Sequence, residues 1–152
     1  MAGIVVCVVV LVAASAFGVL NRRRSGRVRV RGRDGGKRLG AAELGEDLGE
    51  RATLVQFSSA FCAPCRATRR VLGEVAGLVP GVTHVEIDAE DHLDLVRELD
   101  ILKTPTVLVL DADGRVVRRA TGQPRKADVI AALGEAVGTS CPVTLDEAGG
   151  RR

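Results

Sequence analysis

Leu54-Val55-Gln56-Phe57-Ser58-Ser59-Ala60-Phe61-Cys62-Ala63-Pro64-Cys65-Arg66 is the stretch on which the reading of this chain turns. It opens as a buried strand, Thr53 to Phe57, and breaks into a loop of small residues. A helix is expected from Ala63 to about Val79: Ala67, Val71 and Val75 recur every four residues, with Leu72, Ala76 and Val79 beside them. Pro64 fits a first helical turn, where backbone N–H groups lack partners anyway, and Pro80-Gly81 ends the helix. Cys62 then stands at a helix N-terminus. Free amide N–H groups and the helix dipole there favour a thiolate and lower the pKa, in such motifs to roughly 3.5–7.5. The thiolate is the attacking species in disulfide exchange. Cys65, one turn on and on the same face, can attack a mixed disulfide formed at Cys62.

A C-x-x-C pair has other readings. Half of a zinc site is one, but there is no second C-x-x-C, and the two His, His84 and His92, have seven residues between them rather than three to five. An inert structural disulfide is another. Of the remaining cysteines, Cys7 lies in an apolar run and Cys141 near the C-terminus, so no disulfide framework is indicated.

Around the C-x-x-C the pattern alternates strand and helix. Ala41 to Gly49 reads as a short helix with Leu44 and Leu48 on one face. Thr83 to Asp88 alternates, with Val85 and Ile87 inward. Leu93, Leu95, Val96 and Leu99 suggest a helix, and Thr106 to Leu110 is a continuous apolar strand. Asp111 to Gly114 is a turn that pairs Val116-Val117 back as a hairpin. Pro124 opens a last helix with Val129, Ile130, Leu133 and Val137. The expected class is α/β: a central mixed β-sheet flanked by helices.

These residues resemble the thioredoxin family in order and spacing over about residues 39–137. The quoted stretch is similar to its active-site segment, Val85-Glu86-Ile87-Asp88 to the following strand, and Lys103-Thr104-Pro105-Thr106 to its cis-proline loop. Asp113-Gly114 and Gly122 fall at the family's hairpin and later glycine. The resemblance implies a thioredoxin-like fold and a thiol–disulfide oxidoreductase that reduces protein disulfides. It makes Cys62 and Cys65 the catalytic, redox-active pair, with Phe61, Ala63, Pro64, Thr104 and cis Pro105 contacting substrate. It calls for disulfide-containing protein substrates, an electron donor such as a thioredoxin reductase, and no cofactor or metal. Three positions depart from the family. Phe61 stands for the usual Trp, and Ala63 for the common Gly. Gln56 replaces a buried Asp that assists proton transfer at the second cysteine. Gln hydrogen-bonds but is no base, so Cys65 resolves slowly or borrows Glu86 or His84.

The rest of the chain gives location. Gly3 to Leu20 is uncharged and mostly apolar; as a helix it is about 27 Å long, near the lower limit for crossing a bilayer core. Residues 22–38 hold nine Lys/Arg against one acid, a net of +8, whereas residues 39–138 hold eleven against sixteen, a net of −5. Basic charge on the linker rather than the domain counts against nucleic-acid binding. The expected organisation is a transmembrane anchor (1–21) that contacts membrane lipid, a basic juxtamembrane linker (22–38) that either touches anionic lipid or is solvated and only fixes topology, a thioredoxin-like domain (39–138) and a flexible tail (139–152). Ala14-Ser15-Ala16 resembles a signal cleavage site, but no Lys or Arg precedes the run and an Arg cluster follows it. Positive-inside asymmetry then puts the domain on the cytoplasmic side of a single-pass membrane protein. The rivals are an outward-facing exchange protein in envelope or cytochrome maturation, and a non-catalytic adaptor of the same fold.

Overall fold

A computed structural model describes residues 2–24, 28–29 and 36–139. At its centre lies β2 (Ala52–Ser58), every residue of which is buried. Two hydrophobic cores cover its two faces, and successive residues alternate between them as a pleated strand requires. Val55 and Phe57 enter one core with Val85, Ile87, Leu95, Leu99, Leu108 and Leu110. Ala52 and Leu54 enter the other with Leu72, Val75, Val107, Val109, Val129 and Leu133.

The elements follow the expected order, with one strand added. α1 (Ala2–Arg24) is followed by β1 (Val28–Arg29), then α2 (Ala41–Leu44) and β2. After these come α3 (Ala63–Leu78), β3 (Val82–Asp88), α4 (Leu93–Glu98), β4 (Thr106–Asp111), β5 (Val116–Thr121) and α5 (Lys126–Thr139). The sheet order is β1-β5-β4-β2-β3. β2 is parallel to β3 and antiparallel to β4; β5 pairs antiparallel with β4 and β1. The sheet is therefore mixed.

The differences from expectation are local. The helix expected over 41–49 stops at Leu44, because Gly45 takes a left-handed φ of 70°. The buried stripe of α3 is Cys65, Thr68, Leu72 and Val75 rather than Ala67, Val71 and Val75, so the helix is turned to carry two polar-type side chains inward. The last helix begins at Lys126, two residues past Pro124, and buries Ala132 and Ala136 while Ile130 is exposed. β1 falls inside the basic stretch, where two Val give little signal. Further on, Arg38 bridges to Arg115 and the buried Leu39 donates its N–H to the Gly114 carbonyl at 2.9 Å. Gly114 is confined to glycine twice over: its φ is 76°, and a Cβ would fall 2.2 Å from the Leu39 oxygen.

The spanning helix expected at the N-terminus is found as a helix, α1, uncharged from Ala2 through Leu20. Among the described residues, no helix is long and apolar enough to cross a membrane. Cys7 is exposed on α1. Cys141 and the tail from 140 onward lie outside the described residues.

Candidate active site

β2 ends at Ser58, and the loop Ser59–Phe61 leads straight into α3 with Cys62 as its N-cap. Cys62 is extended (φ −89°, ψ 96°), so its side chain folds over the first turn and its Sγ accepts the Cys65 N–H at 3.1 Å. An amide N–H directed at sulfur stabilises negative charge there. Pro64 occupies the first turn without loss of a helical bond. Cys62 and Cys65 are joined by a disulfide, their Cα atoms 5.2 Å apart. Cys62 is partly accessible, whereas Cys65 is 2% exposed. Of the two, Cys62 is the one open to solvent.

Phe61, Ala63 and Pro64 are exposed around Cys62, and Phe61 is 99% exposed. The Phe61 ring thus offers apolar area beside Cys62. The Thr104–Pro105 peptide is cis, and Pro105 is buried at the start of β4. Several bonds fix this loop. Thr106 Oγ1 donates to the Lys103 carbonyl at 2.7 Å, and Gly122 N–H donates to the Pro105 carbonyl at 2.7 Å. The Thr104 hydroxyl meets the Ser59 hydroxyl at 2.9 Å, tying the cis-proline loop to the loop before Cys62. Arg119, 5% exposed, donates to the Leu99 and Asp100 carbonyls at the far end of the same segment.

Gln56 lies fully buried beneath the pair. Its Nε2 donates to the Cys65 carbonyl at 2.9 Å and to Ser58 Oγ at 2.8 Å. Ser58 Oγ donates to Glu86 Oε1 at 2.6 Å, and Arg69 of α3 pairs with the same carboxylate at 2.5 Å. Burial pushes the Glu86 carboxyl up, but hydrogen bonds from Arg69 and Ser58 and the Arg69 charge outweigh it and hold the pKa below its ordinary value. Glu86 is thus a fixed anion rather than a ready base for Cys65. His84 is partly buried, and desolvation, aided by Arg69 and opposed by Glu86, lowers its pKa.

Cys62, Cys65, Phe61, Ala63, Pro64, Thr104, Pro105 and Gln56 therefore gather at one end of the sheet. Ser58, Ser59, Thr68, Arg69 and Arg119 are members that the sequence does not single out. Ser58 and Glu86 are legible in principle, because β2 and β3 run in parallel register with Gln56 opposite Glu86 and period-two side chains share a face. Ser59 and Thr104, 45 residues apart, carry no such signal. Among the described residues, no group of three or more His, Cys, Asp or Glu could hold a metal ion.

A helix-capping cysteine bonded to a buried partner one turn on, beside a cis-proline loop, is the dithiol–disulfide couple of a thiol–disulfide oxidoreductase domain. The Thioredoxin family model matches residues 41–135, and the chain belongs to that family. It is 31% identical over 85 residues to a thioredoxin of Mycobacterium tuberculosis, covering 55% of this chain and 72% of that protein. It is 29% identical over 94 residues to an H-type thioredoxin of Picea mariana, covering 60% and 74%. A solved chloroplastic thioredoxin z superposes with a TM-score of 0.53 at 26% identity, covering 59% of this chain and 80% of that one. Of other relatives the chain spans less: 12% of a mouse protein and 44% and 50% of two plant proteins.

Proposed function

We propose that this protein is a membrane-tethered reductase of protein disulfides. The Cys62 thiolate attacks a substrate disulfide, forming a Cys62–substrate mixed disulfide and expelling one substrate thiolate. Cys65 then gives up its proton, which the departing substrate sulfur takes up, and attacks Cys62 Sγ. The second substrate thiolate leaves and is protonated, and the Cys62–Cys65 disulfide remains. A dithiol donor of the thioredoxin-reductase type returns the two electrons. Thr104 and Pro105 offer backbone to the substrate, and Phe61, Ala63 and Pro64 cover its flanks. The carrying observation is the accessible Cys62 Sγ held on the Cys65 N–H, with its resolving partner already within bonding distance. Gln56 supports Cys65 through its carbonyl.

The tether rests on α1. Its large apolar side chains are exposed on every side, among them Val5 at 61%, Leu11 at 66% and Phe17 at 74%. A helix apolar all round belongs in a large core or a bilayer. The nine basic residues that follow favour the cytoplasmic side of the membrane and its anionic lipid. There the thiol pool, poised at about −220 to −320 mV, keeps such a pair largely reduced.

A Cys65→Ser variant tests the activity, since it should accumulate partner proteins disulfide-bonded to Cys62. If no partner is trapped and insulin is not reduced in the presence of a dithiol, the reductase reading fails and an adaptor remains. A reporter fused after Arg152 tests the side of the membrane; activity outside the cell overturns the cytoplasmic assignment.

A further inference from the structure

The partners of Gln56 fix which way its amide points. The Glu86 carboxylate is an acceptor only, so Ser58 gives it its single proton at 2.6 Å. Ser58 Oγ must then accept from Gln56, 2.8 Å away. The Cys65 carbonyl, 2.9 Å away, also only accepts. Both contacts require the NH2 group. The other end of the amide, Oε1, is left buried with no hydrogen-bond partner. Thr68 Oγ1, on the inner face of α3 one turn past Cys65, is likewise buried and without a partner. Buried polar atoms are rarely left this way, and each calls for a reason.

The reason lies in the redox cycle. In the disulfide, Cys65 Sγ is bonded to Cys62 and carries no proton. Reduction by an external dithiol breaks that bond with two electrons, and the donor closes to its own disulfide. The donor's two protons pass to the cysteine pair, and Cys65, 2% exposed, gains an S–H. We propose that Gln56 Oε1 is the acceptor for that S–H, and that Glu86 and Ser58 are positioning residues that hold the amide for it. The acceptor is then satisfied in the dithiol and unsatisfied in the disulfide, which favours the dithiol. This inference rests on the redox reading of the pair.

The test uses the full chain in detergent with Cys7→Ala and Cys141→Ala, equilibrated in dithiothreitol buffers of graded ratio and scored by thiol alkylation. Gln56→Met removes the acceptor at nearly constant volume. It should lower the dithiol-to-disulfide equilibrium constant about five- to tenfold, or ~20–30 mV for a two-electron couple. Ser58→Ala should move it the same way by less, and Ser58→Thr, which keeps the hydroxyl, should behave as the parent. With Cys62→Ala added, Cys65 is the sole thiol. Its infrared S–H band should lie below that of a free thiol and rise in Gln56→Met. Equal equilibrium constants for the parent and Gln56→Met, or an S–H band that Gln56→Met does not move, overturn the inference. A parent chain that equilibrates with no dithiol buffer overturns the redox reading itself and the inference with it.

Discussion

Replacing Gln56 by Asp puts a carboxyl where the chain has a neutral amide, and the structure determines the consequences. The site has no solvent exposure. A carboxylate there loses hydration and cannot donate to the Cys65 carbonyl, which Nε2 now serves. Desolvation raises the pKa of a fully buried acid by up to 3–5 units. An intermediate rise of about three units would put the folded-state value near 7, against about 3.9 in the unfolded chain. The sign comes from linkage. Below pH ~4 the group is protonated in both states and costs only the lost hydrogen bonds, about 1–2 kcal/mol. Between pH ~4 and ~7 the unfolded chain ionises first, and stability falls by about 1.4 kcal/mol per unit, roughly 4 kcal/mol in all. The same carboxylate is a base beside Cys65, so the step that releases substrate should speed up by at least ~100-fold above pH 7. Urea midpoints of Gln56→Asp and the parent from pH 4 to 8, with single-turnover release of a mixed disulfide, measure both effects. A stability deficit that does not change with pH, or a release rate no faster at pH 8 than in the parent, refutes the placement of Gln56 in a closed site next to Cys65.

Three further outcomes are expected. Ser59→Ala removes the hydroxyl contact that joins the loop before Cys62 to Thr104. It should lower kcat/KM for a protein disulfide about two- to tenfold while leaving the Cys62 thiol titration in place, and substrate kinetics beside iodoacetamide rates check this. Glu86 has a depressed pKa, so its stabilisation is full above its unfolded pKa of about 4.3 and is lost as pH falls through the lower folded value. His84, also depressed, removes stability as pH falls below about 6.5, because the unfolded chain takes up the proton first. Glu86→Gln should therefore flatten the acid limb of stability below pH ~4 and, by removing the charge that opposes the His84 shift, deepen the limb below pH ~6.5, read from urea midpoints across pH 3–7. Leu72→Ala, at a fully buried position in the core under α3, should cost about 2–5 kcal/mol; a loss under 1 kcal/mol would mean α3 is not clamped to the sheet as described.

Local chemistry makes most of the fold readable. The alternation of Val85 and Ile87, the unbroken Thr106–Leu110 run and the Asp113-Gly114 turn each report a strand or turn by themselves, and β3, β4 and the hairpin match them closely. α3 lies within a residue of its expected bounds, but its inner face differs from the expected one. Apolar periodicity favours Val71, whereas the helix buries Thr68 and Cys65. Polar side chains turned inward for a site do not register as hydrophobic pattern. β1 is two residues long and gains its identity from pairing with Ala120 and Arg119, 90 or more positions away; the Arg-Val alternation of residues 27–31 is only a weak local signal of it.

The site divides along the same line. Cys62, Cys65, Pro105 and even the departure at Gln56 are visible as residues in a motif. The surroundings that make Gln56 tolerable are not. A buried primary amide brings two donors and an acceptor, and each one left unpaired costs free energy. The Cys65 carbonyl and Ser58 take the two donors, and Ser58 can accept only because Glu86 takes its proton. Glu86 in turn stays ionised in a part-buried place because Arg69 of α3 pairs with it. The buried amide is therefore held not by one residue but by a set spread over β2, β3 and α3. Remove Arg69 or Ser58 and the amide beneath Cys65 loses part of what fixes its orientation. The parallel register that sets Gln56 opposite Glu86 is the link that joins the members, and it exists only once the sheet has formed.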